Sequence, residues 1–366
     1  MNKALYVIPY PKFFSQHAGV GGHVAHAAGV IGGLVEHGYN VRVVAEGNHD
    51  IFDIHGVDVD LLPCASQSQI SRQLWSLKLL MHIKKLLREE RFSLCYMRYS
   101  ASFAPWIPLL KRLLGSVPLI LEVNSLGSQW RESLRPLDRW ALSSVDRVIC
   151  ISQVLQDYVV GLLGQRANDA DIRLVINGVN VSRFDVEPVE LGSKEIIHAG
   201  FAGLLKTDYG IETLIEAAGL LRDENVVLHV FGDGPFRSQL EQLAIGFDNI
   251  RFHGPVPFLR MPAFLKALDV VIYTTDVKHL YQSPTKLFEY MAAGKPIVSA
   301  RTPQTTELLS TNETALFFDV ADAQDMADAI SRLCRDVQVR EAMGKRARQE
   351  AETKHSWFAR VAQILA

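Results

Sequence analysis

The residues best placed to do chemistry lie in Ser283 to Pro296, which reads SPTKLFEYMAAGKP. Ser283 is a good helix N-cap, and Pro284 is pre-shaped for the first helical position. Leu287, Met291 and Ala292-Ala293 follow as an apolar stripe, and Gly294 with Pro296 stops it. Such a helix start leaves the N–H groups near Thr285 and Lys286 free to point at an anion, where the helix dipole adds about half a positive charge. Lys286 in the first turn is slightly unfavourable there unless something negative binds nearby. Glu289, three residues on, shares its face. The pattern suits a phosphate held at the helix start, with a carboxylate one turn deeper accepting hydrogen bonds from sugar hydroxyls. An ordinary capped helix with an exposed Lys–Glu pair accounts for the same residues, and both readings stand.

Three loops at strand ends add candidates. His17 to His23 carries Gly19, Gly21 and Gly22, where backbone must approach something closely. A dinucleotide fingerprint starting at Gly19 needs glycine at position 24, and Val24 stands there, so the loop argues against a nicotinamide or flavin enzyme. His26, one turn into the following helix, reads as a buried structural histidine. Gly203 to Gly210 places Lys206 at the middle of a strand-to-helix turn, and Gly232 to Pro235 is a second such turn. At Gly234 the reading is either turn punctuation or a backbone against which a ligand lies. Two DxD strings, Asp58 to Asp60 and Asp169 to Asp171, lack a nearby histidine or third carboxylate and are read as chance, so no metal site is expected.

The elements that must position these residues are short apolar runs alternating with helical segments, the pattern of parallel α/β sheets. Strands are expected at Ala4–Ile8, Val41–Ala45, Val57–Leu62, Leu94–Met97, Pro118–Val123, Arg147–Ile151 and Leu174–Ile176. A second set follows at Ile196–Ala202, Val226–Phe231, Ile250–His253, Val270–Tyr273, from Ile297, and at Ala315–Phe318. Between the sets, residues 181–194 with Pro188, Gly192 and Ser193 read as a linker. At 366 residues the chain exceeds the roughly 250–300 that one core supports. The reading is α/β with two Rossmann-like domains facing a central cleft, ligands sitting beyond the carboxyl ends of the strands.

Composition bounds the class. With 48% hydrophobic and 21% charged residues the chain is ordinary globular protein. Its four cysteines, Cys64, Cys95, Cys150 and Cys334, lie too far apart for metal-ligand spacing and suit a reducing compartment. No signal peptide is legible, and no apolar run approaches the roughly 20 residues of a bilayer span, so a cytoplasmic protein is expected. The net charge of −2 hides a basic stretch, Arg72 to Arg112, where nine basic residues meet only Glu89 and Glu90. Leu79, Leu80, Ile83, Leu86 and Leu87 make one helical face there, with Lys78, Lys84, Lys85 and Arg88 alongside. Trp106, Ile107, Leu109 and Leu110 beside Lys111-Arg112 form a second patch. These are either solvated faces of core helices or surfaces that hold the protein against anionic lipid at the inner face of a membrane.

Eight strings in order resemble the GT-B glycosyltransferases of family 4: GGHVAH from Gly21, YMRYS from Tyr96, LEVN from Leu121 and VDRVICIS from Val145. NGVN from Asn177, GLLKTDYGIETLIEA from Gly203, FGDGP from Phe231 and SPTKLFEYMAAGKPIV from Ser283 complete the set. The resemblance runs nearly end to end. It implies an acceptor-binding domain over 1–182, a nucleotide-sugar domain over 183–350, and a C-terminal helix over 351–366 crossing back to the first domain. It implies that Gly21 and Gly22 form the loop beside the transferred sugar, and that Lys206 neutralises the donor diphosphate with help from Ser283, Pro284, Thr285 and Lys286. Glu289 would bind the ribose, and the turns at Gly234 and His253 to Val256 would flank the nucleotide. Asn124 occupies a position often held by a histidine that touches the sugar.

The chain departs from the family pattern elsewhere too. Tyr281 replaces the first Glu of a Glu-x7-Glu motif, Leu204 stands where an Arg often follows the glycine, and Tyr209 where a Lys often precedes the next one. The resemblance implies a metal-independent, retaining transfer of a hexose from a nucleotide diphosphate-sugar, with no other cofactor and no nucleic acid. The acceptor would be a polysaccharide or lipid-linked saccharide, as in cell-surface or exopolysaccharide synthesis. A nucleotide-sugar epimerase of the same fold and an inactive sugar-nucleotide-binding subunit are the alternatives.

Overall fold

The computed structural model describes residues 2–9, 22–47, 57–64, 68–275 and 284–366, and among these it forms two units. The first holds the described residues through Asn177 together with Trp357–Ala366; the second holds those from Gly178 to Ser356.

In the first unit β1 (Asn2–Ile8), β2 (Tyr39–Glu46), β3 (Val57–Leu62), β4 (Leu94–Arg98), β5 (Leu119–Val123), β6 (Arg147–Cys150) and β7 (Asp171–Leu174) form one sheet in the order 3-2-1-4-5-6-7. Every pairing is parallel. Helices α1 (Gly22–Glu36), α2 (Gln69–Glu89), α3 (Ile107–Leu114), α4 (Arg135–Leu142) and α5 (Gln153–Leu163) lie between the strands in sequence. Strands β4 and β5 are buried along their whole length, as near-continuous apolar runs must be when helices cover both faces. Leu5, Val7, Cys95, Met97 and Leu121 pack into the core beneath α2 to α5. Their neighbours Ala4, Tyr6, Ile8, Tyr96 and Ile120 point the opposite way, into the core that α1 covers.

The second unit repeats the plan. Strands β8 (Ile197–Ala202), β9 (Val226–Phe231), β10 (Ile250–Gly254), β11 (Val270–Tyr273), β12 (Ile297–Ala300) and β13 (Ala315–Phe318) run parallel in the order 10-9-8-11-12-13. Its helices are α6 (Ile211–Leu220), α7 (Arg237–Leu243), α8 (Met261–Ala267), α9 (Thr285–Ala292), α10 (Pro303–Leu308), α11 (Ala323–Arg335) and α12 (Val337–Lys354). In each sheet the strand order reverses beside the first strand, between β1 and β4 and between β8 and β11. Ligands of such sheets bind at that switch point.

The last helix, α13 (Trp357–Leu365), belongs to the first unit, where Trp357, Val361 and Ile364 share a core with Val30, Ile31 and Leu34 of α1. The seat depends on two glycines: a Cβ at Gly29 would lie 1.9 Å from Trp357 Nε1, and one at Gly33 2.5 Å from Val361 Cγ2.

Three boundaries differ from the sequence reading. The first unit ends at Asn177, not at 182, because the turn Val181–Phe184 ties into the second unit through Arg183. The return begins at Trp357, not at 351, because α12 continues to Lys354. Strand β7 precedes the expected Leu174–Ile176, since its polar residues are held by ion pairs of Asp171 with Arg147 and Arg173 that an apolar-run criterion does not see.

Three of the four DxD carboxylates, Asp58, Asp60 and Asp171, are engaged in structural ion pairs. Asp60 accepts from Arg42 at 2.8 and 3.0 Å and pairs with His82, and Asp58 lies near Lys3. No cluster of metal-ligating side chains occurs among the described residues. No described helix is long and apolar enough to cross a membrane.

Candidate functional site

In the second unit the expected site residues converge at the switch point. The loop leaving β8 runs from Gly203 through Lys206 into a short 3-10 turn, Thr207–Tyr209. Helix α9 starts at Thr285 with Pro284 in the cap position. Ser283, expected as the cap, and Gly21 lie outside the described residues, as does Tyr281. Leu287 N–H closes on Pro284 O at 3.1 Å, and the N–H groups of Thr285 and Lys286 precede any carbonyl of the helix that could accept from them.

Two ammonium groups meet on one aromatic ring here. Lys206 Nζ stands 5.1 Å and Lys286 Nζ 4.7 Å from the Tyr209 ring centroid, and Lys286 also lies 4.4 Å from that of Phe201. Gly203 makes the room, because a Cβ there would come within 1.9 Å of Lys286 Nζ. Neither ammonium has a carboxylate within ion-pair distance among the described residues. The aromatic faces, and for Lys286 the more distant Glu289 carboxylate, supply the electrostatic compensation. Burial brings the Lys286 pKa down to about 8; Glu289 pulls it up and Lys206 pushes it further down. Tyr209, where the family often has a lysine, thus gathers the two lysines that are present.

Glu289 lies one turn into α9, about a quarter exposed, with Arg183 Nη1 3.8 Å away. Burial raises its pKa against the opposing pull of Arg183 and Lys286. Arg183 is held by Phe258, donating to its carbonyl at 2.8 Å and stacking 3.7 Å over its ring. This arginine was invisible to the sequence reading, which placed it in a linker 106 residues from its partner. No local signal marks it.

The Gly234 turn is explained by the chain's own packing. A Cβ there would lie 2.2 Å from Leu205 O, and Leu205 N–H donates to Asp233 O at 3.0 Å. The close approach is therefore to the Lys206 loop, which the turn braces. Val256 is buried just after β10. His253, at the end of β10, ends a file of three imidazoles. His198 Nε2 faces Ser193 O at 3.1 Å, His198 Nδ1 meets His229 Nε2 at 2.9 Å, and His229 Nδ1 meets His253 Nε2 at 2.8 Å. The carbonyl can only accept, so each neutral ring carries its proton on Nε2. Burial, reinforced by His253, His198 and Arg251, drives the His229 pKa to about 3.

The first unit builds something different at its own switch point. Glu122 on β5 is fully buried, bonds His26 Nε2 at 2.6 Å and the Tyr96 hydroxyl, and forms an ion pair with the Arg98 guanidinium, whose Nε lies 3.2 Å away. The Asn124 carboxamide, with its nitrogen toward Glu122, donates to Oε1 at 2.7 Å and accepts from Arg98 Nη2 at 2.6 Å. His26 Nδ1 bonds Asn177 Oδ1 at 2.7 Å and the ring meets Trp357 edge-on. Burial would raise the Glu122 pKa, but the charge and hydrogen bond of His26, then Arg98 and Tyr96, outweigh it and hold it at about 2. His26 is thus the structural histidine the sequence suggested. Asn124 sits among groups that satisfy it, and Gly22 opens α1 nearby in sequence.

The relatives agree with this architecture. Residues 20–183 match the family described as Glycosyltransferase Family 4, and residues 197–336 match Glycosyl transferases group 1. The chain belongs to glycosyltransferase family 4. This family 4 chain is 27% identical over 172 residues to the sulfoquinovosyl transferase SQD2 of Arabidopsis thaliana, covering 46% of this chain and 32% of the relative. It is 26% identical over 202 residues to TuaH of Bacillus subtilis, described as a putative teichuronic acid biosynthesis glycosyltransferase, covering 53% of this chain and 50% of that protein. The chain therefore spans a third to a half of the length of these curated relatives. Among solved structures, Anabaena Alr3699/HepE in complex with UDP-glucose superposes with a TM-score of 0.75 at 17% identity, over 99% of both chains. That likeness fixes the fold as GT-B.

Proposed function

We propose that this family 4 glycosyltransferase moves a hexose from a nucleotide diphosphate-sugar to a polysaccharide or lipid-linked saccharide acceptor, with retention and without a metal. The observation that carries this reading is the pair of ammonium groups on Tyr209 beside the free amide end of α9. Two cations brought together with no carboxylate at ion-pair distance among the described side chains are ready for a dianion, and a diphosphate matches both their charge and the helix end.

Cleaving a sugar–phosphate bond builds negative charge on the departing diphosphate and positive character at the anomeric carbon. Lys206, Lys286 and the amides of Thr285 and Lys286 would stabilise the first, each preorganised donor contributing roughly 3–4 kcal/mol by comparison with oxyanion holes. Among the described residues no side chain stands out as a nucleophile. The departing phosphate oxygen would take the acceptor's proton on the face it leaves, which preserves the anomeric configuration. Glu289, steadied by Arg183, would hold the ribose hydroxyls.

A thermal-shift screen of nucleotide diphosphate-sugars, followed by NMR of the linkage formed with the best donor, tests this. Stabilisation by one donor class and a product of unchanged anomeric configuration are expected, with full activity in chelator. Donor turnover without any acceptor would replace the reading by epimerisation, and tight donor binding with no transfer would make the chain a binding subunit.

A further inference from the structure

The first unit holds a concave site none of whose lining residues belongs to the clusters above. Helices α4 and α5 pack side by side and leave a cavity of about 380 Å³ between them, within the roughly 300–1,000 Å³ of small-molecule sites. Its lining carries three guanidiniums, Arg135, Arg139 and Arg166, and no carboxylate. Arg135 and Arg139 stand four apart on α4 and share one face, and Arg166 comes from the 3-10 turn Gly164–Asp169 after α5. Arg139 Nη2 donates to Leu163 O at 3.0 Å, which fixes that guanidinium against the end of α5. Among the described residues the one carboxylate paired with the three is Glu132, 2.9 Å from Arg135, and at 77% exposure that pair is weak. Beside them Trp140 is 54% exposed, although tryptophan is on average a highly buried residue. Gly161 is the second observation. It lies inside α5, where glycine is the poorest helix former after proline. A Cβ built there would meet nothing within 4 Å, so no packing within the chain requires the glycine. What it keeps open is the wall of the cavity.

From this cavity we infer a binding site for an acidic saccharide, a sugar whose ring carries a carboxylate or a phosphate. The planar forks of arginine match such an oxyanion with two parallel hydrogen bonds, which a lysine point charge does not. The indole face beside them takes the apolar C–H face of a sugar ring, and the bare backbone at Gly161 lets that ring lie close to the helix. A bare anion would have no use for the tryptophan or the glycine. The inference is independent of the donor chemistry proposed for the second unit.

Calorimetry of the full chain with trigalacturonate and with glucose 6-phosphate tests it, with maltotriose as the neutral control and inorganic phosphate as the bare anion. Binding of an acidic sugar, weakened by added salt, is expected, and which of the two binds identifies the anionic group. The double variant Arg135→Gln with Arg166→Gln should lower affinity about tenfold or more, and Trp140→Leu about threefold. Gly161→Leu should abolish binding by filling the cavity. Its melting temperature should equal or exceed the parent's, since leucine is the better helix former. None of these changes should alter the thermal shift given by a nucleotide diphosphate-sugar, which separates failure of this site from failure of the donor site. No binding of either acidic sugar, or equal binding by the parent and Gly161→Leu, overturns the inference. So does inorganic phosphate or maltotriose binding as tightly as the acidic sugars.

Discussion

The switch points of the two sheets occupy equivalent places in equivalent topologies and are built on opposite electrostatic plans. In the first unit a buried carboxylate is surrounded by its own chain: His26, Tyr96, Arg98 and Asn124 all turn toward Glu122, and its charge is fully answered. In the second, Lys206 and Lys286 are gathered on Tyr209 with no carboxylate at ion-pair distance among the described residues. A satisfied network specifies structure, and an unanswered charge cluster is a demand for a ligand. On the proposed function, the same fold position serves stability in one half and donor recognition in the other.

That contrast can be broken at several points. The largest effect is expected from Lys206→Ala, which should lower kcat about a hundredfold or more in a transfer assay while leaving thermal stability nearly unchanged. Near-normal turnover would remove Lys206 from the reaction.

Glu122→Gln should act the other way round, costing on the order of 3 kcal/mol in urea unfolding, because it strands the Arg98 charge in the interior. The pH profile sharpens this test. A carboxylate held at about 2, below its ordinary 4.5, stabilises the fold above pH 4.5 and loses that contribution as pH falls toward 2. The acid limb of stability should therefore be flatter in Glu122→Gln than in the parent, and an unchanged limb would show that the cluster does not support the unit.

Lys286 predicts a smaller effect on binding. With its pKa near 8 in the free protein, a nucleotide diphosphate must draw a proton onto it at higher pH. Donor affinity should be level below pH 8 and fall by up to tenfold per pH unit above it, with proton uptake measurable by calorimetry in two buffers. A flat profile to pH 9.5 would place the diphosphate away from this lysine. Smallest is Tyr209→Leu, which removes the ring shared by both cations and should weaken donor binding by about 0.5–1 kcal/mol. A larger loss would mean that Tyr209 contacts the donor itself.

The amino-acid sequence alone determined the alternation of strands and helices, the two-unit division and the candidates Lys206, Lys286 and Glu289. These are local matters: apolar runs with turn punctuation define strands, and a Pro-Thr-Lys helix start followed by Glu one turn on places side chains by helical geometry. It also showed that α2 carries a core face, since Leu79, Leu80, Ile83 and Leu86 keep helical period. Tertiary structure decided the rest. Arg183 meets Glu289 across 106 residues, and His26 meets Glu122 and Asn177 across 96 and 151, with nothing in any of these segments to announce its partner. The cavity between α4 and α5 was equally hidden, because packing brings Arg139, Trp140 and Gly161 together, and a pattern of residue types does not record which helices stand side by side.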